Sequence, residues 1–265
     1  MLSIIIVNYN SSHALKRCLK SIIEKKLNLP CEIIIIDNNS TIPIRNRIKE
    51  FEELINIHLI DNKKNLGYAR AVNQGIKIAR GKYVLIINPD ILITAGAIEK
   101  MIDFLENKEN IGIIAPQLLN FDNSVQYSCF RFPKFWTPFI RRTFLKNFSF
   151  GKREVERYLM LDFDHKETKE VDWVLGAAML LKKSLIKKIG LLDEKFFLYF
   201  EDVDWCRRFH SQGFKIIYFP ESKFYHQYAR YSADKYLFSF IFNKYFWFHT
   251  ISCIKYFKKW HKIST

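Results

Sequence analysis

Short polar clusters follow three apolar segments in the first 90 residues of the chain. The clusters are Asn8-Tyr9-Asn10, Asp37-Asn38-Asn39-Ser40 and Asn88-Pro89-Asp90. Any one of them could be an ordinary turn or helix cap, because Asn, Asp, Ser and Pro favour both. Ligands of an open parallel sheet, however, lie beyond the carboxyl ends of its strands. Three such clusters at one sheet edge would converge on a single crevice, and they therefore predict a binding site.

These clusters and the segment after them contain groups that suit a diphosphate and a metal ion. Asp90 is a hard oxygen ligand for a divalent cation, which would neutralise a diphosphate. Asp37 can accept a hydrogen bond from the N–H edge of a base. A helix predicted to begin near Gly67 offers its N-terminus and Arg70 to phosphate, although Arg70 is equally typical of a solvated helix face. Two amides nearby could orient polar groups of the ligand: Asn65 and Asn73.

A second acidic group, residues 201–204, lies at the predicted start of a later helix. Carboxylates there are favoured by the helix dipole alone, so plain capping is an alternative interpretation. Asp204 has Arg208 four residues further on, which predicts an ordinary helical ion pair. Glu201 and Asp202 remain, and an ionised carboxylate beside the metal site could serve as a general base.

The first half of the chain alternates strand-like apolar runs with helical repeats, which indicates repeated β–α units. The predicted strands are residues 2–7, 32–36, 57–60, 82–87, 111–115, 173–181 and 214–219, the last ending at Pro220. Continuous apolar runs are typical of parallel strands buried on both faces. The predicted fold is α/β, a mostly parallel doubly wound sheet with helices on both faces. Residues 120–170 are expected to form long loops with short helices, and Thr94 is expected to cap a helix.

Charge and cysteine content limit the partners and the compartment. A net charge of +15 favours nucleotides, phospholipid surfaces or nucleic acid as partners. No RNA- or DNA-binding motif is recognisable, so a nucleic-acid partner is not expected. The five cysteines are scattered without a C-x-x-C pair, which favours a reducing compartment over a disulfide framework. No secretory signal is recognised before the first strand, so a cytoplasmic location is expected.

Six motifs follow one another in an order that is specific to one enzyme family. They are Val7-Asn8-Tyr9-Asn10, Ile36-Asp37-Asn38-Asn39-Ser40, Asn65-Leu66-Gly67-Tyr68-Ala69-Arg70-Ala71-Val72-Asn73, Asn88-Pro89-Asp90, Gly176-Ala177-Ala178-Met179 and Glu201-Asp202-Val203-Asp204-Trp205-Cys206-Arg207-Arg208. The chain resembles the inverting family 2 glycosyltransferases of the GT-A fold, particularly their rhamnosyltransferase-like members. The resemblance implies a GT-A domain over residues 1–232, with a nucleotide-sugar-binding half (1–116) and an acceptor-binding half (117–232).

The resemblance also implies roles for the acidic residues. Asp202 would be the catalytic base, with Glu201 as its neighbour. Asp90 would bind the metal ion, Mn²⁺ or Mg²⁺, together with His226. Spacing alone leaves His226 open as either a ligand or a structural histidine. Asn88 stands where the family usually has a first acid, so Asp90 alone carries the carboxylate of that motif.

For the substrates, the resemblance implies a nucleoside-diphosphate sugar and an acceptor hydroxyl. The donor-binding residues would be Asn8, Asn10, Asp37, Asn39, Asn65, Gly67, Arg70, Asn73, Asn88 and Asp90, with Asp37 contacting uracil or thymine. Trp173 and Gly176 would line the acceptor side. The expected donor is dTDP-rhamnose, with a UDP-linked hexose as the alternative, and the expected acceptor is a glycan or lipid-linked glycan in cell-surface glycan synthesis. A non-enzymatic nucleotide- or nucleic-acid-binding protein is the competing interpretation, against which the retained Asp90 and Asp202 argue.

The last segment, residues 233–265, is aromatic and basic and is expected to be a helical tail. Residues 236–254 are rich in Phe, Tyr, Trp and Ile, and four lysines follow: Lys255, Lys258, Lys259 and Lys262. An interfacial helix on anionic lipid would have this composition. A helix packed on the catalytic domain or on a dimer partner fits equally well. The location is thus expected to be cytoplasmic, with peripheral attachment to the inner face of the cell membrane as an added hypothesis.

Overall fold

The computed structural model describes residues 1–227 and 243–261. The strands are β1 (Leu2–Asn8), β2 (Cys31–Asp37), β3 (Asn56–Asp61), β4 (Tyr83–Ile87), β5 (Ile91–Ile93), β6 (Ile111–Leu119), β7 (Val125–Gln126), β8 (Cys129–Phe130), β9 (Lys169–Val171), β10 (Trp173–Val174), β11 (Ala178–Lys182) and β12 (Lys215–His226). The helices are α1 (Ser12–Glu24), α2 (Arg45–Glu52), α3 (Tyr68–Ile78), α4 (Ala97–Asn107), α5 (Thr137–Arg142), α6 (Ser149–Leu159), α7 (Ile186–Ile189), α8 (Glu201–Ser211) and α9 (Lys244–His261).

One large sheet forms the centre of the fold. Its order is β3-β2-β1-β4-β11-β6-β12-β5, with β7 paired to β6 and β9 paired to β12. Strands β3, β2, β1 and β4 are parallel neighbours, and β6 runs parallel to β12. Strand β11 is antiparallel to both β4 and β6 and joins the two parallel parts. The expectation of an α/β sheet of mostly parallel strands is confirmed.

Helices cover both faces of this sheet because the side chains of each strand alternate between two cores. In β1, Ile5 and Val7 pack with residues of α3, whereas Ile4 and Ile6 pack with residues of α1. Side chains of successive strand residues point to opposite faces, so an uninterrupted apolar strand must be covered on both sides. The doubly wound architecture follows from the isoleucine-rich sequences of β1 and β2.

The prediction of one strand over residues 173–181 is wrong. The chain forms β10 in a separate two-stranded sheet with β8, and then β11 in the large sheet. Between them, residues 175–177 bond elsewhere: the N–H of Leu175 donates to Ser128 O, and Ala177 O accepts from the N–H of Asn88. The apolar pattern runs through this break because the segment is buried on both sides, and burial alone does not reveal a change of sheet.

The sequence predicts that this strand ends at Pro220. In the structure, β12 continues to His226. Its register with β6 shifts between Phe219 and Lys223. A proline has no N–H for the ladder and is tolerated at such irregularities. The extension carries His226 to the sheet edge where β5 pairs with β12.

Helix α4 begins differently from the prediction. It starts at Ala97, and Gly96 at its N-cap is left-handed, with φ of 69°. Thr94 does not cap the helix; its hydroxyl donates to Lys223 O at 2.7 Å. This bond instead fastens the end of β5 to β12.

Residues 120–170 contain the expected short helices, α5 and α6, together with three short strands that the sequence does not reveal. These strands are β7, β8 and β9, each of two or three residues. Strands of this length are too short for an alternating pattern to be visible.

Helix α9, the described part of the expected tail, packs on the α/β domain. Tyr256 and Trp260 are buried. The indole of Trp260 and the ammonium of Lys259 each donate to the buried Asp204 carboxylate at 2.9 Å, as does Arg208 at 3.0 Å. Asp204 therefore does more than form the expected ion pair with Arg208 within α8, because its bonds to Lys259 and Trp260 also hold α9 against α8. The other residues of the expected tail, 233–242 and 262–265, lie outside the described part of the chain, and within residues 1–227 and 243–261 no helix combines the length and hydropathy needed to cross a bilayer.

Replacing Trp260 with Ala should destabilise the protein strongly. It removes a buried aromatic side chain and a hydrogen bond to a buried carboxylate, so we expect a loss of about 3–5 kcal/mol in the free energy of unfolding. Urea denaturation measures this value. The matched control on the same helix is Ile251→Ala, at a side chain that is 46% exposed, with an expected change within about 0.5 kcal/mol. Equal values for the two variants would contradict the packing of α9.

Candidate active site

A cavity of about 440 Å³ lies at the carboxyl end of β4. It is bounded by the break between β10 and β11, the start of α8, and parts of α5 and α9. Its lining includes titratable, aromatic and polar residues: Tyr68, Asn88, Asp90, Phe130, Arg141, Arg142, Trp173, Gly176, Glu201, Asp202, His226 and His249. The cavity thus joins predicted donor, metal, catalytic and acceptor residues from segments far apart in the sequence.

Asp202 is held by two backbone N–H groups at the start of α8. Its Oδ2 accepts from the N–H of Gly176 at 3.0 Å, and its Oδ1 accepts from its neighbour Val203 at 2.8 Å. A side chain at position 176 would be tight, since a Cβ there would lie 3.3 Å from Asp202 Oδ2. The missing side chain of Gly176 therefore lets the backbone approach the carboxylate.

The two carboxyl groups at this helix start differ in how well their charge is supported. Burial raises the pKa of Asp202, and the N–H groups of Gly176 and Val203 oppose that rise. Burial, and then the charge of Asp202, raise the pKa of Glu201 well above its ordinary value. Glu201 Oε2 is buried with no hydrogen-bond partner among the described residues. Asp202 is therefore the better supported carboxylate, and Glu201 is the one that more readily stays protonated.

Asp90 and His226 face each other across the edge of the sheet. Asp90 Oδ1 lies 3.4 Å from His226 Nε2, and this oxygen is buried with no hydrogen-bond partner in the described part of the chain. His226 Nδ1 lies 2.9 Å from the amide oxygen of Gln126, whose NH₂ group donates to Asn120 and to His226 O. The amide oxygen is an acceptor, so Nδ1 is the ring nitrogen that donates to Gln126, and Nε2 is the one that faces Asp90.

This pair fits a divalent cation. A carboxylate oxygen and an imidazole nitrogen are both metal donors, and the ring is oriented by Gln126 in the way that outer-shell partners orient metal-binding histidines. No group of three or more His, Cys, Asp and Glu side chains suited to a metal occurs within residues 1–227 and 243–261. The remaining ligands would have to come from a bound molecule or water, as is usual for ions that bind substrate phosphates. Sequence reasoning did not identify Gln126, because no motif marks it.

At the ends of β1 and β2, the predicted donor residues form a closed network around Asp37. Its Oδ1 accepts from Asn8 at 2.7 Å and from the hydroxyl of Ser40 at 2.6 Å, while Oδ2 accepts from the Ser40 N–H at 3.2 Å. Asn10 Oδ1 accepts from the N–H of Thr41 and so supports the same turn. Asn39 is exposed and left-handed, with φ of 68°. Asp37 is buried. Because Oδ1 already accepts two hydrogen bonds and Oδ2 accepts one, Oδ2 is the oxygen that can accept a further bond from a ligand.

A second amide network positions the loop before α3. Asn38 donates to Asn65 Oδ1 and to Gly67 O, and its own Oδ1 accepts from Asn62 and from the N–H of Leu66. Asn38 was not among the predicted site residues. The motif does not show that its side chain is buried, with 3% exposure, and can therefore hold this loop in place.

Gly67 and Tyr68 connect this loop to the cavity. Gly67 has φ of 85°, and a Cβ there would lie 2.6 Å from Phe197 O, so no other residue fits without rearrangement. The hydroxyl of Tyr68 donates to Gly176 O at 2.9 Å. Burial, followed by the nearby charges of Glu201, Asp202 and Asp90, raises the pKa of Tyr68. Tyr68 is a lining residue that the sequence analysis did not select.

Of the ten predicted donor residues, Asn88 and Asp90 line the cavity. Asn8, Asn10, Asp37, Asn39, Asn65 and Gly67 lie at the ends of β1 and β2 and in the loop before α3, outside the cavity lining. The remaining two, Asn73 and Arg70 of α3, contact the loop before α8. Asn73 is buried in α3, donates to Leu192 O at 2.9 Å and accepts from the Leu192 N–H at 3.0 Å. Arg70 is half exposed and pairs with Glu194 at 3.2 Å. Both side chains stabilise the loop before α8, because the helical period of α3 directs them away from the strand ends.

The other end of the cavity is aromatic and basic. Trp173 stacks on Phe130 with ring centroids 4.4 Å apart, and its indole N–H donates to Arg131 O. Arg141 and Arg142 of α5 line the same end. His249 of α9 lies there too, and burial, with the neighbouring Arg142 and Arg141 charges, lowers its pKa to about 3. Trp173 and Gly176, the residues expected on the acceptor side, both line the cavity, whereas Phe130, Arg141, Arg142 and His249 come from segments in which the sequence showed no motif.

The doubly wound sheet, with carboxylates converging on one cavity at its strand ends, defines an α/β domain that binds its ligand at the carboxyl edge of the sheet. The sequence profile of Glycosyl transferase family 2 matches residues 3–189. The chain belongs to this family, and it is a glycosyltransferase.

Three relatives illustrate the range of the family around this chain. A low-salt glycan biosynthesis hexosyltransferase, Agl10 of Haloferax volcanii, is 27% identical over 219 residues, covering 81% of this chain and 63% of its own length. The N-acetylglucosaminyl-diphospho-decaprenol L-rhamnosyltransferase of Mycobacterium tuberculosis is 25% identical over 240 residues, covering 86% and 76%. The dTDP-rhamnosyl transferase RfbF of Shigella flexneri is 24% identical over 225 residues, covering 84% and 67%.

Solved structures share the fold at low sequence identity. TarS of Staphylococcus aureus superposes with a TM-score of 0.63 at 16% identity, covering 87% of this chain and 37% of TarS. GalNAc-T7, solved with UDP, GalNAc and Mn²⁺, superposes with a TM-score of 0.66 at 15% identity, covering 89% and 45%. The expected GT-A fold is confirmed by these similarities. The chain spans only part of the length of these larger proteins.

Because the pKa of Glu201 is raised, we expect the substitution Glu201→Gln to stabilise the protein by an amount that depends on pH. A carboxyl group with a raised folded pKa stabilises the protein below its unfolded pKa, and that contribution is lost as the pH rises through the folded pKa. Across the interval between the two values, wild-type stability falls by about 1.4 kcal/mol per pH unit from this group. Glutamine is neutral throughout, so the unfolding midpoint of the variant should exceed that of wild type by more at pH 8 than at pH 5.

Thermal denaturation at a series of pH values measures this difference. The control is Glu50→Gln, at a surface carboxylate that is 53% exposed and pairs with Lys16; its difference from wild type should stay nearly constant with pH. A Glu201→Gln curve parallel to the wild-type curve at every pH would rule out the raised pKa.

Proposed function

We propose that this glycosyltransferase moves a sugar, preferentially rhamnose from dTDP-rhamnose, to a hydroxyl of a lipid-linked glycan, with inversion at the anomeric carbon. The observation that carries the proposal is that one cavity holds the Asp90–His226 pair and, in addition, a carboxylate, Asp202, supported by two N–H groups. The Asp90–His226 pair suits a diphosphate with its cation, and Asp202 suits proton removal from an acceptor hydroxyl.

The choice of sugar is supported by two relatives. The mycobacterial protein is named as an L-rhamnosyltransferase and the Shigella protein as a dTDP-rhamnosyl transferase. The haloarchaeal relative is named as a hexosyltransferase, and this favours the second candidate, a UDP-hexose transferase with the same mechanism. The first half of the domain, residues 1–116, would bind the nucleotide, with Asp37 Oδ2 accepting from the base.

In the proposed reaction, Asp202 takes the proton of the acceptor hydroxyl as its oxygen attacks the anomeric carbon. The bond from that carbon to the diphosphate oxygen breaks on the opposite face, so a single displacement inverts the centre and releases the nucleoside diphosphate. A divalent cation, held by Asp90 and His226, would supply electrostatic stabilisation of the diphosphate. Holding the acceptor in line with the base contributes through positioning, and the Gly176 N–H fixes the orientation of that base.

The acceptor end of the cavity supports an anionic, lipid-linked acceptor. Arg141 and Arg142 make this end positive, and guanidinium groups bind diphosphates well. Trp173 and Phe130 offer aromatic faces for a sugar ring. The mycobacterial relative is named for an acceptor that has a diphosphate between a sugar and a polyprenol. A nucleotide donor and a lipid-linked acceptor together place the proposed reaction at the cytoplasmic face of a membrane.

The donor site can be tested by thermal shift with dTDP, UDP and GDP, each with and without Mn²⁺. A ligand at 100 times its dissociation constant stabilises the folded state by about 2.7 kcal/mol, so we expect a rise in midpoint with dTDP or UDP that requires Mn²⁺. Asp90→Ala should abolish the rise, whereas Asp61→Ala, at an exposed aspartate that ends β3, should retain it. Preference for UDP over dTDP would favour the hexose transferase, and no shift with any nucleotide would overturn the donor site.

The catalytic base can be tested with Asp202→Asn, which keeps the shape of the side chain but cannot accept the proton. Loss of a general base typically costs about 10²–10⁴-fold in rate, so turnover should fall by that order in a product-release assay. The Mn²⁺-dependent thermal shift with the nucleotide should stay as in wild type. If the variant loses nucleotide binding along with turnover, Asp202 belongs to the metal site or to the fold instead.

A further inference from the structure

Residues 134–153, which comprise α5, the turn after it and the start of α6, expose an unusual number of aromatic side chains. Six residues are between 52% and 70% exposed: Phe135, Trp136, Phe139, Phe144, Phe148 and Phe150. Large exposed apolar patches mark interaction sites more often than single surface residues do. We refer to residues 134–153 as the docking surface.

The same segment is strongly basic. Residues 134–153 contain six Lys and Arg residues and neither Asp nor Glu. This stretch contributes +6 to the net charge of the chain, which is +15. A partner must therefore offer both an apolar layer for aromatic rings and negative charge for lysines and arginines.

The docking surface adjoins the acceptor end of the cavity. Thr137, Pro138, Arg141 and Arg142 of α5 line the cavity, while Phe139 of the same helix is 61% exposed. One short helix thus has one side in the active site and the other in solvent. A partner bound to the exposed side would lie directly beside the point where the acceptor enters.

A groove at the edge of the docking surface has the same mixed character. Its volume is about 550 Å³, and its lining includes Trp136, Phe139, Phe150 and Arg153. Glu154 also lines it, but its charge is paired with Arg157 and Lys134. Helix α9 supports the surface from behind, since the rings of Phe135 and Phe257 lie 5.4 Å apart. The groove could accept an acyl chain between aromatic walls with a cation at its rim.

We propose that residues 134–153 dock the enzyme on an anionic lipid bilayer, so that the acceptor end of the cavity opens at the membrane surface. Aromatic rings favour the headgroup level, and lysines and arginines are attracted to anionic lipid. A protein partner is disfavoured because protein interfaces are depleted in lysine, and half of the six basic residues of this surface are lysines: Lys134, Lys146 and Lys152. This inference rests on the proposed function in one respect: the lipid-linked acceptor is the reason for the enzyme to bind a membrane.

The proposed membrane contact lies outside the tail, for which the sequence left an interfacial helix and a packed helix equally open. The described part of that tail, α9, is anchored to α8 through Asp204. Helix α9 then acts as a support for the docking surface, and α5 and α6 make the contact with lipid.

The test is co-flotation of the full chain with phosphatidylcholine vesicles, with and without phosphatidylglycerol. Wild type should bind the anionic vesicles. The variant K146E/K152E/R153E should bind them on the order of 100-fold more weakly, since each basic residue near an anionic surface contributes substantially to binding. The variant F144S/F148S/F150S should show a loss of similar order, because its rings no longer enter the headgroup layer.

Matched controls carry the same changes on other exposed positions. K20E/R45E/K49E makes an equal change of charge on α1 and α2, and I42S/L54S/I78S removes three exposed apolar side chains elsewhere. Both controls should bind as wild type does. Loss of binding in the charge control equal to that in K146E/K152E/R153E would show a nonspecific effect of net charge and overturn the proposal.

Two further outcomes separate this inference from the proposed function. If the wild type is a dimer that F144S/F148S/F150S converts to a monomer, without any vesicle binding, the surface is a dimer interface and the proposal fails. Transfer to a water-soluble acceptor should be unchanged in all four triple variants, because none alters a cavity residue. Vesicle binding without transfer would refute the proposed function alone, and transfer without vesicle binding would refute the docking alone.

Discussion

The backbone of residues 175–177 is hydrogen-bonded on four sides, and the active site is arranged around it. Leu175 bonds to the segment before β8, Ala177 to the residue after β4, Gly176 O to the Tyr68 hydroxyl, and Gly176 N–H to Asp202. These bonds join α3 and the end of β4, the segment before β8, and the helix that carries Asp202, the proposed base. A side chain at 176 would interfere with the last contact, so the site depends on a glycine at the point where the chain changes sheet.

The charges of the cavity are divided between its two ends. Carboxylates lie at the carboxyl ends of the strands and at the start of α8, while Arg141 and Arg142 lie at the acceptor end. Burial makes the negative end costly, which is visible in the raised pKa values of Glu201 and Asp202. The N-terminus of α8 offsets part of that cost, because its N–H groups and dipole favour negative charge. A site that stores uncompensated carboxylates in this way suits ligands that bring positive charge or protons.

Helix α9 connects α8 to the aromatic and basic end of the cavity. Through Asp204 it is fixed to the same helix, α8, that carries Asp202, and through His249 it lines the cavity. Its Phe257 supports Phe135 at the edge of the basic aromatic surface. Positions of the base, of the acceptor wall and of the proposed membrane contact are consequently coupled by one packed helix, whose removal would disturb all three.

The sequence by itself determined the alternation of strands and helices, the burial of β1 and β2 on both faces, and the clusters at the ends of β1, β2 and β4. These features depend on local periodicity and on turn chemistry, which neighbouring residues display. It also pointed to Asp90, Asp202 and His226, which the structure brings to one cavity. Only the tertiary structure decided that Asn73 and Arg70 turn away from that cavity, that residues 173–181 divide between two sheets, and that Gln126 orients His226. It likewise added Phe130, Arg141, Arg142 and His249 to the cavity wall that includes Trp173, and it showed α9 packed on the domain. Each of these depends on contacts between residues far apart in the chain, and such contacts leave no periodic pattern that a single sequence can show.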